Sequence, residues 1–379
     1  MDLKNVLITS IVATSLLITS CGDDDSTTIQ KPKVATIQNP EIATKATITG
    51  GPYTFTVDGK EDKIPEGDIT VTKEGKENSK RGWIITDTKG KILGLPPKPS
   101  AVNFDDAGLG KCLVWYIGYE EGLEGLEPMK NASDLKGTFT LSNSIEVNRI
   151  APNGAAALAG GPFEFIVDLE EDRLADDAIT IDSSSAKGNN KSWIITDLEG
   201  KILGLPGKLS GPEFNDAGVG TCLIWYISYN DGLIGLKTGN NTANLNGATF
   251  YISNPIKVVR KAPEGAAILS GGPFEFNTVG DGTADNLEEN AIIINKSNVK
   301  GATSKWVVTD NDGVILGLPP MPSAVNFDTA GEGTCLIWYI SYDKEPIGLE
   351  AMTGKNAKNL EGTFYLSNPI KILRKATSI

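Results

Sequence analysis

Three aspartate pairs recur at one spacing along this chain: Asp58 with Asp62, Asp168 with Asp172, and Asp281 with Asp285. In every copy the second aspartate stands 21 residues before a tryptophan. The third copy carries two extra residues ahead of its pair, yet the spacing within the pair is kept. A loop with clustered aspartates, a neighbouring glutamate and glycine offers the carboxylate and carbonyl oxygens that Ca²⁺ takes. The EF-hand pattern is not complete in any copy. The same residues also suit a solvated turn closed by Asx capping. A second acidic loop is open to the same two readings. It is Asn103-Phe104-Asp105-Asp106-Ala107-Gly108, then Phe214-Asn215-Asp216-Ala217-Gly218, then Asn326-Phe327-Asp328-Thr329-Ala330-Gly331. Paired carboxylates also run glycoside hydrolysis, but three small tandem copies with no evident cleft argue against it.

Tryptophan and cysteine recur in the same register. Cys112, Cys222 and Cys335 each follow Trp83, Trp193 and Trp306 by 29 residues. Those three tryptophans are candidates for a platform on which sugar rings stack, or else for core packing over a large buried area. Trp115, Trp225 and Trp338 lie on a strand that is apolar on both faces and read as core. One cysteine per copy excludes a disulfide within a copy, and each reads as a buried thiol acting as a small hydrophobe. The chain has no histidine. That removes Ser-His-Asp and Cys-His catalysis, nearly all catalytic zinc sites and the usual switch near neutral pH. No catalytic residue is assigned, and no cofactor is expected beyond Ca²⁺ at the aspartate pairs. The net charge of -13 makes nucleic acid an unsuitable partner.

Repetition sets the elements that must position these residues. Gly50-Gly51-Pro52-Tyr53 returns as Gly160-Gly161-Pro162-Phe163 and Gly271-Gly272-Pro273-Phe274. Trp193-Ile-Ile-Thr-Asp, Ile202-Leu-Gly-Leu-Pro, Cys222-Leu-Ile-Trp-Tyr-Ile and Ile252-Ser-Asn-Pro-Ile have counterparts on either side. The period of 110 to 113 residues exceeds that of solenoids and suits one domain per copy. The organisation expected is a signal segment over 1–20, a lipidated cysteine and tether over 21–43, and domains over 44–150, 151–261 and 262–379.

Within a copy the signals are for strands. Cys222 to Tyr229 presents apolar residues on both alternating faces, as a central strand covered on both sides does. Leu198-Glu199-Gly200 reads as a hairpin turn, and Asn311-Asp312-Gly313 in the third copy more strongly so. Phe250 to Val259 is a strand interrupted by Pro255, hence an edge strand or one with a bulge. The fold class expected is all-β, three tandem immunoglobulin-like β-sandwiches, with a small barrel as the alternative.

The amino terminus carries a further signal. Met1 to Asn5 is short and charged, Val6 to Ile18 is apolar, and Thr19-Ser20 precede Cys21. This is the layout of a secretory signal, and its apolar part is too short to span a bilayer comfortably. Ile18-Thr19-Ser20-Cys21 resembles a bacterial lipobox. The resemblance implies acylation of Cys21, cleavage before it and membrane attachment through lipid. Gly22-Asp23-Asp24-Asp25 resembles the surface-export signal of Bacteroidota lipoproteins, which implies an exposed position on the outer membrane. The repeats as a whole resemble tandem β-sandwich repeats of Bacteroidota surface lipoproteins. No activity comes with that resemblance. The reading is a non-enzymatic surface lipoprotein displaying β-domains for adhesion or surface-structural interaction. The alternative is a glycan-binding accessory lipoprotein of a surface uptake system. Its partners are the membrane, through lipid, and a surface glycan or protein.

Overall fold

The computed structural model describes residues 46–73, 80–278, 284–328, 331–351 and 354–376. The signal segment, Cys21, the tether and Asp281 lie outside the described residues. The first copy contains β1 (Thr47–Thr49), β2 (Tyr53–Thr56), β3 (Thr70–Lys73), β4 (Lys80–Asp87), β5 (Ile92–Gly94), β6 (Gly110–Tyr119), β7 (Phe139–Leu141) and β8 (Ile145–Ile150). The second contains β9 (Ala157–Ala159), β10 (Phe163–Ile166), β11 (Thr180–Asp182), β12 (Asn190–Thr196), β13 (Ile202–Gly204), β14 (Gly220–Tyr229), β15 (Phe250–Ile252) and β16 (Ile256–Lys261). The third contains β17 (Ile268–Ser270), β18 (Phe274–Thr278), β19 (Ile293–Asn295), β20 (Thr303–Asp310), β21 (Ile315–Gly317), β22 (Gly333–Tyr342), β23 (Phe364–Leu366) and β24 (Ile370–Ala376).

Each copy has a two-stranded sheet, formed by β1 with β3, β9 with β11, and β17 with β19. Its other six strands form an open sheet, in the order β2-β8-β6-β4-β5 with β7 also on β6, and the other copies repeat that order. The chain is therefore all-β with tandem sandwiches, and the open order excludes the small barrel. Helical turns among the described residues are short 3-10 segments, and no helix there is long and apolar enough to cross a membrane. By compactness the chain divides into two units. One runs to Gly160 and includes Thr180–Lys187 and Tyr251–Pro255, so the division falls inside the second copy.

The central strand follows from its composition. β14 pairs with β12 on one edge and with β16 on the other. Cys222, Leu223, Ile224, Trp225 and Ile227 are all buried, on both faces of it. The third copy shows what covers those faces. On one, Cys335, Ile337 and Tyr339 pack with Leu269 of β17 and Ile292 beside β19. On the other, Trp338 and Ile340 pack with Leu349 and with Ala357, in the 3-10 turn Ala357–Asn359. That turn is capped by Asn356, whose Oδ1 accepts from Lys358 N and whose Nδ2 donates to Asp312 O of the β20–β21 hairpin. The turn residue there is Gly313, at φ 88°, where a side chain would be strained. Asn131 and Asn241 make the same cap and brace in the other copies.

Ser253, Asn254 and Pro255 break what would be one strand into β15 and β16. The expectation of an edge strand or a bulge is met by β15, which pairs with β14 off the main order, but not by β16, which lies inside the sheet because β10 adds outside it, in parallel. The break is put to use. Asn254 Oδ1 accepts from Leu158 N at 2.7 Å and Nδ2 donates to Leu158 O at 2.9 Å, so the side chain stands in for a strand against β9. Asn143 clamps Ile48 and Asn368 clamps Leu269 in the same two-point way. The preceding serine faces the central strand: Ser142 Oγ accepts from Tyr116 N, and Ser367 Oγ from Tyr339 N. The Ser-Asn dipeptide thus satisfies backbone groups that a strand break would leave buried and unpaired.

Candidate functional site

The two acidic loops, about forty residues apart in each copy, meet after the strand that follows Gly-Gly-Pro. The Gly-Gly-Pro leading into that strand needs its glycine: a Cβ on Gly51 would lie 2.6 Å from Ile145 Cγ2 of β8, and its φ is 59°. The rings then lock the loops together. Phe55 stacks on Phe104 at 5.5 Å, Phe165 on Phe214 at 5.2 Å, and Phe276 on Phe327 at 5.2 Å. Backbone pairing follows: Phe104 N donates to Asp62 O, Phe214 N to Asp172 O, and Phe327 N to Asp285 O.

In the first copy Asn103 Oδ1 accepts from Asp62 N at 2.9 Å and from Asp105 N at 3.2 Å. Asp105 is buried, and its Oδ1 accepts from Asp58 N at 2.7 Å and Gly59 N at 3.1 Å. Burial pushes the Asp105 carboxyl up to about 6; the two N–H donors pull it down, and Asp58 and Asp62 push it up. Asp62 is also raised, by burial first and then by Asp58. Asp58 closes its own Asx turn, accepting from Lys60 N at 3.1 Å.

The second copy keeps the backbone links but exchanges the groups. Glu213 Oε1 accepts from Asp172 N at 2.7 Å and Asn215 N at 3.3 Å. Asn215 Nδ2 donates to Glu170 O. Arg173 Nε stands 3.4 Å from Glu213 Oε2. Asp172 is raised by burial, then by Asp168 and Glu213. Asp168 accepts from Glu170 N in an Asx turn. In the third copy Asn326 Oδ1 accepts from Asp285 N and Asp328 N.

The structure thus joins Asp58 and Asp62 to Asp105, and Asp172, with Asp168 beside it, to Glu213, which the sequence left as separate loops. Oxygens of Asp58, Asn103, Asp105, Asp168, Glu213 and Asn326 tie backbone N–H groups; among the described residues Asp62 Oδ2, Asp172 Oδ2 and Glu213 Oε2 are buried without a hydrogen-bond partner. Among the described residues no group of three or more His, Cys, Asp or Glu is placed to hold a metal ion. The calcium reading of these pairs therefore rests on the sequence.

The tryptophans separate into two roles. Trp115, Trp225 and Trp338 donate from Nε1 to Thr86, Thr196 and Thr309 Oγ1 at 2.9 to 3.0 Å, and the threonines are buried. Trp83, Trp193 and Trp306 are half-buried and meet Tyr116, Tyr226 and Tyr339 edge to face at 4.9 to 5.1 Å. Trp83 and Trp306 pack against the cores of their copies.

The thiols of Cys112, Cys222 and Cys335 are buried and form no disulfide. Burial pushes Cys335 up to about 11 against the pull of Arg374, and it raises Cys222 against Arg260. Cys222 and Cys335 stay protonated at neutral pH, and all three cysteines pack as hydrophobes. The arginines beside them were not singled out in the sequence. Their signal is alternation: Ile145, Val147 and Arg149 share the buried face of β8.

Comparison with known proteins gives no family. No family model matches the chain, and no curated protein matches it. Among solved structures, domains EC1-4 of Drosophila N-cadherin are 8% identical, with 89% of this chain and 74% of that one covered at a TM-score of 0.18. Domains EC1-3 of mouse protocadherin-24 are 8% identical, with 78% and 90% covered at 0.17. Three domains of the bacteriophage RB49 outer capsid protein Hoc are 10% identical, with 88% and 99% covered at 0.17. Likeness this slight says nothing of activity or partners.

Proposed function

We propose that this chain is a lipid-anchored protein of the outer-membrane surface that displays β-domains for adhesion or surface-structural interaction, with no catalysis of its own. The carrying observation is a lipobox-like Cys21 and polar tether ahead of three copies of one unit. The way the recurrent residues are spent supports this. Tryptophan with threonine, Ser-Asn, the capping asparagines and the paired glycines all build the copy itself. Trp83, Trp193 and Trp306 meet tyrosine edge to face, and Trp83 and Trp306 lean on the core, which favours display over a sugar-stacking platform.

Cys21→Ala should abolish acylation and move the protein from the membrane to the soluble fraction on cell fractionation. Protease applied to intact cells should cleave the unsubstituted protein. A Cys21→Ala protein that still carries lipid would overturn the anchor, and full protection from protease would overturn surface exposure.

A further inference from the structure

The second copy departs from the first in the loop after β13. Where the first reads Pro97-Lys98-Pro99-Ser100-Ala101-Val102, the second reads Gly207-Lys208-Leu209-Ser210-Gly211-Pro212. Pro97 gives way to Gly207 and Ala101 to Gly211, Pro99 becomes the buried Leu209, and Val102, which packs in the first copy's core, is replaced by Pro212. A cavity of about 480 Å³ lies there, with Leu203, Leu205, Pro212 and Phe214 among its walls and Cys222 and Arg260 lining it too. That is within the size range of small-molecule sites, which are mostly apolar with a few placed polar groups. A Cβ on Gly207 would meet nothing within 4 Å.

Arg260 is 7% exposed. Among the described residues its Nη1 donates to Cys222 Sγ, at 3.6 Å, and its Nε is buried without a hydrogen-bond partner. A thiol is a weak acceptor, and a guanidinium keeps its charge at any accessible pH. A buried charge without a counter-charge is costly. Glu213 also lines the cavity. Its Oε1 holds Asp172 N and Asn215 N, and its Oε2, buried without a hydrogen-bond partner among the described residues, stands 3.4 Å from Arg173 Nε, which draws its charge away from Arg260. Lys208, an exposed residue of the lining, adds a second positive group. Arg149 shows that the buried charge recurs: all three of its guanidinium nitrogens are buried without a hydrogen-bond partner. The widened loop belongs to the second copy.

We infer that this cavity receives an amphiphilic monocarboxylate, its aliphatic chain against Leu203, Leu205 and Phe214 and its carboxylate on Arg260. A guanidinium pairs well with a planar carboxylate through two N–H groups. One buried cation among apolar walls suits a singly charged head better than a dianionic phosphate.

The test uses the full chain carrying Cys21→Ala, free of detergent, titrated calorimetrically with decanoate, 1-decanol and inorganic phosphate. Decanoate should bind, with 1-decanol weaker by about tenfold or more and phosphate not binding. Arg260→Met should weaken decanoate by about tenfold or more and leave 1-decanol unchanged. A graft of the first copy's residues, Gly207→Pro with Gly211→Ala and Pro212→Val, should abolish decanoate binding. Absence of decanoate binding at millimolar concentration would overturn the inference. So would equal binding by Arg260→Met, or phosphate binding as tightly as decanoate. If Arg260→Met does not fold, the graft decides: binding retained in a grafted, folded chain overturns the site.

Discussion

The first and second copies build one loop junction with the carboxylate at exchanged positions. Asn103 and Asp105 in the first correspond to Glu213 and Asn215 in the second. An oxygen at the first position accepts from the backbone of the paired aspartate in both copies, whether amide or carboxylate supplies it. At the second position the roles reverse. Asp105 accepts from Asp58 and Gly59, while Asn215 donates to Glu170 O. The junction therefore demands that the loops be tied, and it tolerates the charge moving from one tie to the other. A cage built around a cation would hold its charges in fixed places.

If the copies share a scaffold and differ at their loops, scaffold substitutions should differ only as burial differs. The largest effect is expected at the central strand. Trp225→Ala, at a buried indole, should cost about 4 kcal/mol, and Trp115→Ala, at a half-buried one, should cost less. Hydrogen exchange of peptides from each copy of the full chain measures both, and equal costs would break the comparison.

The clamp comes next. Asn254 is fully buried whereas Asn143 is exposed. Asn254→Ala leaves Leu158 N and O unpaired and should destabilise its copy by about 3 kcal/mol. Asn143→Ala should cost about 1 kcal/mol, because water can reach the freed groups. A reversed order would show that the clamp does not act through burial.

The smallest effect is at the junction and depends on pH. The folded carboxyl of Asp105, at about 6, lies above its unfolded value. Its contribution to stability is thus fully present below about pH 4 and is lost as pH rises through 6. Asp105→Asn should remove that loss, making the first copy's stability flatter between pH 4 and 7. Asn215→Asp should introduce a similar decline in the second copy. Profiles left unchanged by both substitutions would mean that the junction charges are solvated.

Much of the fold was legible because its signals are local. The all-β class, the hairpin at Gly200 and the doubly covered strand at Cys222 to Tyr229 all follow from short patterns. The role of Asn254 was not, since its partner lies 96 residues away. Nothing in Ser-Asn-Pro distinguishes a clamp from an ordinary turn. A separation of 41 residues likewise hid the meeting of Asp62 with Asn103: the residues were visible as two loops, and only the fold makes them one. Arg149 and Arg260 were hidden differently. Their alternation with Val147 and Val258 placed them inward, but charged residues are rarely left buried without partners.

One consequence of the topology concerns force. β2 and β8 run parallel through four residue pairs, and β18 and β24 through five. Because the two strands point the same way, the chain enters a copy at one end of this seam and leaves it at the other. Tension on the two ends slides one strand along its neighbour and loads every rung at once. It does not peel the rungs apart singly, as it would in a hairpin pulled from its open end. Each copy is therefore braced against stretching at the place where its own ends are joined.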